Sequence, residues 1–462
     1  MNSLSVYQRL PILLQHAACS LAGGRIQYVR FGPAFQRALR DAEARTLWSL
    51  DRIQAYRDQQ LRVLVDHCYR TVPFYRHRFD ELRVRPEDIT TFDDLDLLPT
   101  LTREEIQRCY PDIISRAVPQ RQQVAASTSG STGTGLRFVT TQAAVHSTWA
   151  TWWRYRRWHG IELGTWCGHF GGRAVVPVSQ AVPPFWRYNY PGRQILFSVY
   201  HMAPATLDAY VAELRRRRPP WLHGYPSALA LLAAHMLDRR LELGYDVRWI
   251  TTGAENLMPQ QVTLLQRAFG VRPRQHYGMA ESVANISECE LGSLHVDEDY
   301  AAVEFIPNPD GPGHRIIGTS LTNLATPFLR YDVQDVAVLS NDGCPCGRPG
   351  RVVASLDGRA EDYVILKNGA RLGRMYHVVA GLMNIREAQV YQRVPGEVVI
   401  RVVRGAGYGE SDEAQLLDRV RHRVAGLAEV RVDYVDAVQR SRTGKLRFVV
   451  SDVPEGQLEY LC

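Results

Sequence analysis

The sequence predicts an α/β protein in two unequal parts. A large N-terminal domain over residues 1–360 carries parallel-rich sheets with helices plus a small β meander, and a small α+β domain occupies 361–462. Three observations predict this. From about residue 85 to 340, short β-like runs alternate with helical ones, the pattern of a largely parallel sheet with helices on its faces. After Asp357-Gly-Arg359 the texture changes to closely spaced strands and helices within about one hundred residues, the size of a separate unit. Finally, 462 residues exceed what one ordinary core supports, so two or three domains are expected.

The elements follow in order. Apolar positions at Leu47, Leu50, Ile53, Tyr56, Leu61, Leu64 and Val65 predict a helix across 44–82. Pro73, in Thr71-Val-Pro-Phe-Tyr75, breaks it because proline cannot continue a helix. Leu207, Tyr210, Val211 and Leu214 mark another helix, ended by Arg215 to Arg218 and Pro219-Pro220. Arg248 to Thr252, a helix from Pro259 to Phe269, and Val271 to Tyr277 form a strand–helix–strand unit. Ala302 to Ile306, Arg315 to Ile317 and Val336 to Leu339 read as the meander. In the small unit come a strand at Tyr363 to Leu366, a turn at Asn368-Gly369 and a helix near Met375 to Met383. Strands at Val390-Tyr391 and Glu397 to Arg404, a helix over Asp412 to Leu427 and a strand at Val430 to Val435 complete it.

Composition excludes several classes. Hydrophobic residues at 45% and charged residues at 22% are those of a globular chain rather than a disordered one. No apolar run is long enough to span a bilayer. Gln15 and His16 interrupt the apolar stretch Leu10 to Gly23, so it is not read as a signal peptide and a cytoplasmic location is expected. The net charge of +7 is scattered, and its one dense block, Arg215 to Arg218, suits the carbonyl end of a helix better than nucleic acid. Eight cysteines in this length do not make a disulfide scaffold.

The stretch Ser127-Thr-Ser-Gly-Ser-Thr-Gly-Thr-Gly-Leu136 can turn backbone N–H groups onto a polyanion, with hydroxyls as short donors. It is no Walker A loop, because Leu136 and Arg137 follow Gly135 where Lys and Ser or Thr are required. By composition alone a Ser/Gly linker fits equally well.

Six segments in order give the chain a resemblance to the adenylate-forming superfamily, in particular to its phenylacetate–CoA ligase branch and to CapK-like and coenzyme F390 synthetase-like proteins. They are Ser129-Gly130-Ser131-Thr132-Gly133-Thr134, Gly253-Ala254-Glu255, Tyr277-Gly278-Met279-Ala280-Glu281, Arg330 to Asp335, Gly358 to Asp362 and Ser441 to Lys445. The resemblance implies that the first closes over ATP phosphates and the second lies on the adenine. It places Tyr277 at the adenine, Glu281 on Mg²⁺, Asp335 and Arg359 at the ribose, Glu361 and Asp362 at a hinge, and Lys445 as the catalytic lysine of a mobile C-terminal domain. The chain departs from the family at Ala280, where a hydroxyl is common, at Leu136, and at Glu361 in place of aspartate.

These residue types suit the chemistry. A carboxylate attacking the α-phosphorus of ATP brings two anions together, so the barrier is largely electrostatic. Lys445 is a flexible point charge, Glu281 a hard oxygen ligand for Mg²⁺, and Asp335 an acceptor for vicinal hydroxyls. Singly, each also reads as a surface turn or a helix-terminal carboxylate; their joint order favours adenylation. The expectation is therefore an ATP-dependent ligase that adenylates a carboxylic acid and passes the acyl group to an acceptor, with coenzyme A first and an amine as alternative. A non-catalytic binding module on the same fold is the reading from another class. A homodimer is the default assembly.

Two further constellations stand out. Cys289, His295, Cys344 and Cys346 meet the ligand count of a structural zinc site with no open position, against four separate reduced side chains. Residues 149–201 are crowded with aromatics, among them Trp149, Trp152, Trp153, Phe170, Trp186 and Phe197. The resemblance puts the acid pocket at Gly171, Arg173, His223, Gly224, Tyr225 and Pro226. Aromatic walls suit a planar acid, whereas Arg173 or His223 suits a polar one.

Overall fold

The structure, a computed structural model, describes residues 3–127, 136–203, 205–309, 312–359, 363–367, 371–372, 375–379, 382, 384–424, 426–440 and 446–453. The expected phosphate segment Ser129 to Thr134, the hinge pair Glu361 and Asp362, and Lys445 lie outside these residues, as does the side chain of Arg359.

A twelve-stranded sheet organises the larger part. Its middle is five parallel strands in the order Arg274–Gly278, Trp249–Thr252, Trp221–Gly224, Cys167–Gly171 and Gln194–Ser198. Trp186–Asn189 closes that edge antiparallel. On the other side the sheet continues antiparallel through Asn285–Glu288, Leu294–Val296, Val352–Arg359, Tyr331–Leu339, His314–Ser320 and Ala301–Pro307. The meander predicted across 301–339 is present, and each of its strands is longer than the apolar runs suggested.

One face of the parallel strands buries Phe170, Ile195, Phe197, Leu222 and Ile250 against the helices Leu207–Arg217 and Pro226–Asp238. The second helix is buried almost throughout, which accounts for its uniformly apolar sequence. The opposite face is covered by the helix Gln142–Trp158, whose Ala150 and Trp153 pack with Cys167 and Trp221. Much of the aromatic crowd is therefore core: Phe170, Phe185, Trp186, Tyr188 and Phe197 belong to the first face and Trp153 to the second, where the partly buried Trp149 and Trp152 also lie.

The helix expected over 44–82 is three separate pieces. Pro33–Arg45 ends before Leu47, which is 88% exposed and marks a turn instead of a core position. Ser49 then caps Leu50–Thr71 by accepting from the Arg52 amide. Pro73 starts Pro73–Leu82 at a position where its missing N–H costs nothing.

The small unit holds a four-stranded sheet ordered Glu429–Tyr434, Glu397–Arg404, Ile385–Gln392 and Val449–Ser451. The helix Glu410–Val424 buries Leu416, Val420 and Val424 against it. The expected helix near 375–383 is a 3-10 helix over Met375–Val379. No helix among the described residues is long and apolar enough to cross a membrane.

Candidate active site

Four sequence-predicted segments end on one line. The strands Cys167–Gly171, Trp221–Gly224, Trp249–Thr252 and Arg274–Gly278 are parallel neighbours in register, Phe170 opposite Gly224, Gly224 opposite Thr252 and Thr252 opposite Gln275. Gly171, Gly224 with Tyr225 and Pro226, Gly253-Ala254-Glu255 and Tyr277 to Glu281 thus sit side by side at the carboxyl edge of the sheet. That edge is where open α/β sheets bind ligands. Gly224 is there for packing: a Cβ would lie 2.2 Å from the Phe170 carbonyl oxygen. At Gly171 a Cβ would meet His169 Nε2 at 2.5 Å.

Across the turn, the Tyr277 hydroxyl donates to Asp335 Oδ2 at 2.6 Å, joining the third and fourth motifs. Asp335 is in turn the cross-strand partner of Arg359. Arg330, in the same motif, turns away from this edge to a two-point ion pair with Glu304. Glu281 is buried in the turn leaving the Arg274–Gly278 strand, ahead of Ser282 at φ 59°; Ala280 is exposed. Glu281 offers the hard oxygen that Mg²⁺ prefers, and its place after the strand end fits that role.

Glu255 is half-buried and holds two amides, Ser227 N–H at 3.1 Å and Leu446 N–H at 2.6 Å. Burial raises its pKa, an effect opposed by those donors and by Arg440. Arg440 donates to Ser227 Oγ at 2.8 Å and also pairs with Glu387. Arg440 and Leu446 face each other in an antiparallel bridge, so both flanks of the segment bearing Lys445 are fixed against the large part. Arg386 adds an ion pair to Asp238.

Cys289, His295, Cys344 and Cys346 come together with all ligand atoms within 4.8 Å of one another. The Cys289 and Cys344 sulfurs are 3.7 Å apart, and Cys346 Sγ is 3.3 Å from His295 Nε2. A tetrahedron with Zn–S bonds of about 2.3 Å has edges of about 3.7 Å, so the four fit zinc. They tie the strand beside Arg274–Gly278 to the hairpin carrying Asp335.

Of the expected acid-pocket residues, His223 is half-buried and shares a hydrogen bond of 2.8 Å with Thr251 Oγ1. Tyr225 is buried and Arg173 exposed. Arg440, Arg156, His169 and His276 were not singled out as site residues. For Arg156 a signal existed, since 149, 153 and 156 share one helix face.

Residues 365–452 match the CapK C-terminal domain family. Protein CapK of Staphylococcus aureus is 23% identical over 461 residues, covering 97% of this chain and 99% of that one. A phenylacetate-coenzyme A ligase of Thermus thermophilus is 26% identical over 337 residues, 69% of this chain and 72% of its own. Among solved structures, 2-hydroxyisobutyryl-CoA ligase in its postadenylation state superposes with a TM-score of 0.69 at 18% identity, over 90% of this chain and 92% of the other; that likeness is one of fold. The fold, six motifs in sequence order and similarity along nearly the whole chain agree: the chain is similar to CapK and to the phenylacetate–CoA ligases among adenylate-forming enzymes, and its residues 365–452 match the CapK C-terminal domain.

Proposed function

We propose that the protein is an ATP-dependent ligase that converts a carboxylic acid to its acyl-adenylate and transfers the acyl group to coenzyme A. The observation that carries this reading is the convergence of Gly171, Gly224, Gly253 to Glu255 and Tyr277 to Glu281 on one carboxyl edge, with Asp335 hydrogen-bonded into it. In the first step a carboxylate oxygen attacks the α-phosphorus, forming the acyl–phosphate bond as the bond to pyrophosphate breaks. In the second the thiol sulfur attacks the acyl carbon and AMP leaves.

Residues of the chain position these reactants. Asp335, oriented by Tyr277, would accept from the ribose hydroxyls, and Gly253 to Glu255 would lie against the adenine. Glu281 would hold Mg²⁺, which would supply charge neutralisation on the phosphates. Ser129 to Thr134 offer backbone N–H groups to the leaving pyrophosphate, and Lys445 supplies the cation at the developing charge. The boundary near residue 360, with Glu361 and Asp362, is the hinge that lets one cleft serve two steps. Cys289, His295, Cys344 and Cys346 would hold zinc with no open position, which would make its role structural.

Pyrophosphate release, measured across a panel of carboxylic acids, tests the first step. Release is expected with some acids and is expected to fall by at least about 10²-fold in Lys445→Ala. Unchanged release in that variant rules out the catalytic assignment. Mass spectrometry of products with coenzyme A against a panel of amines tests the acceptor; an amide without thioester makes the protein an amide-forming ligase instead.

A further inference from the structure

Alternate residues of a strand share a face, so Cys167 and His169, Trp221 and His223, Thr251, and His276 all point to the side covered by the helix Gln142–Trp158. The rings confirm the grouping. His169 lies 5.4 Å from His223, and His276 lies 5.3 Å from both Trp152 and Tyr155. Into this enclosure comes Arg156, only 4% exposed. Its guanidinium carbon is 4.8, 5.3 and 5.7 Å from the ring centres of Trp153, Trp221 and Trp149.

Other buried arginines of this fold have counter-groups. Arg154 is bonded to Asp297 and Asp299, Arg330 to Glu304, and the neutral acceptors Gln15 and Gln180 hold Arg187. Arg156 does not follow this pattern. Its Nε is buried with no hydrogen-bond partner, and no carboxylate among the described residues lies within ion-pair distance. Arg30, over Trp149 at 4.1 Å, and Arg173 likewise have no ion pair among the described residues, and their charges add to that of Arg156. His169 Nδ1, His276 Nδ1 and the Tyr155 hydroxyl are also buried without partners.

The imidazoles are uncharged at neutral pH. Burial first, then Arg173 and Arg156, hold His169 down to about 4. Burial and Arg156 hold His276 down to about 3, and His223 is lowered by the same pair of causes. Burial lowers Arg156 itself to about 10, so it stays a cation. A buried guanidinium that meets indole rings but no acid among the described residues, beside imidazoles with unpartnered ring nitrogens, is complementary to an anion.

We propose that this enclosure receives a second anionic group of the acid substrate, with Arg156 as the specificity-determining residue. The inference rests on the adenylation reading, which puts the reacting carboxylate at the Gly171 and Gly224 strand ends. Trp221, the residue beside Arg156, is three positions before Gly224. At the rise of a strand that is about 10 Å, room for a spacer of about one aromatic ring or four methylenes between the two acidic groups. The substrate class is a dicarboxylic acid, or a carboxylic acid bearing a distal phosphonate or phosphate.

Matched probes test this: terephthalic against 4-methylbenzoic acid, adipic against hexanoic acid, and 4-phosphonobenzoic acid. Binding without ATP is read by calorimetry and turnover by pyrophosphate release. The doubly anionic member of a pair is expected to win by at least tenfold in both readouts. Arg156→Met should erase that preference and Arg156→Lys retain part of it, with circular dichroism and melting temperature reporting whether each variant folds. His169→Ala provides a second variant and should weaken diacid binding. Monoacids handled as well as diacids by the wild type overturn the proposal, as does a folded Arg156→Met with an unchanged ratio, or no binding of any diacid. Diacid binding that depends on Arg156 without pyrophosphate release upholds the pocket and removes adenylation. Release confined to monoacids does the reverse.

Discussion

Arg440→Met removes one of the contacts that hold the small part on the large one, beside those of Leu446 with Glu255 and Arg386 with Asp238. Arg440 reaches Ser227 Oγ across the two parts at 2.8 Å, while its pairing with Glu387 stays within the small part. A hydrogen bond from a charged donor contributes about 1.5–3 kcal/mol. With the Arg440 side chain 22% exposed, about 2 kcal/mol is the fair figure for docking. Glu255, whose pKa burial raises, also loses the cation that steadies its charge. At 1.4 kcal/mol per tenfold, the arrangement with Leu446 on Glu255 becomes up to about 30-fold less populated. The assay separates the half-reactions: acid-dependent exchange of pyrophosphate into ATP, and thioester formation from supplied acyl-adenylate. Exchange is expected to fall by up to that factor while thioester formation holds or rises; Arg440→Lys should restore part of the exchange. An equal fall in both half-reactions would refute the reasoning, since it reports general damage rather than a shifted docking equilibrium.

Two further expectations concern metal and acid. Protein purified without chelators should carry one zinc per chain by elemental analysis, and Cys344→Ser with Cys346→Ser should lower both zinc content and melting temperature. Equal melting with and without a strong chelator would reduce the cluster to four ordinary side chains. Stability should also fall between pH 6.5 and about 4, because His159 and His169 are held near 4 and His276 near 3 when folded. In that window the unfolded chain binds protons that the folded one refuses, so stability is whole above the unfolded value and is lost as pH drops. Each such histidine contributes a slope of up to about 1.4 kcal/mol per pH unit. Denaturant midpoints at pH 7.5 and 5.0 measure it, and a midpoint no lower at pH 5.0 contradicts it.

What the sequence made legible was what short-range pattern encodes. Strand–helix–strand spacing at 248–277 gave a parallel pair, because periodicity switches where the element type does. The meander and the small α+β unit were readable for the same reason. Leu47 was misread because an apolar residue in a turn looks like one on a helix face until its exposure is known. At the site, Tyr277 and Asp335 were each named, yet their contact spans 58 positions and no local pattern encodes it. Arg156 escaped notice for a related reason. Beside Arg154 and Arg157 it looked like one of several solvated helix charges, and only the fold shows which of them has an acid partner.

Glu255 links these strands of reasoning. On the adenylation reading its motif lies against the adenine, yet its carboxylate also holds the Leu446 amide of the small part. A nucleotide on that motif and the docked small part then share one side chain, so the binding of either changes the free energy of the other by the same amount. ATP should therefore favour the arrangement that brings the flanks of the lysine segment to the large part, and loss of the Glu255 carboxylate should uncouple the two. Glu255→Gln is the decisive variant, because it keeps an acceptor for one amide and removes the charge that Arg440 faces. If ATP protects the 440–446 region from proteolysis equally in Glu255→Gln and in the wild type, nucleotide and docking are independent, and the arrangement is set by the Arg386–Asp238 contact instead.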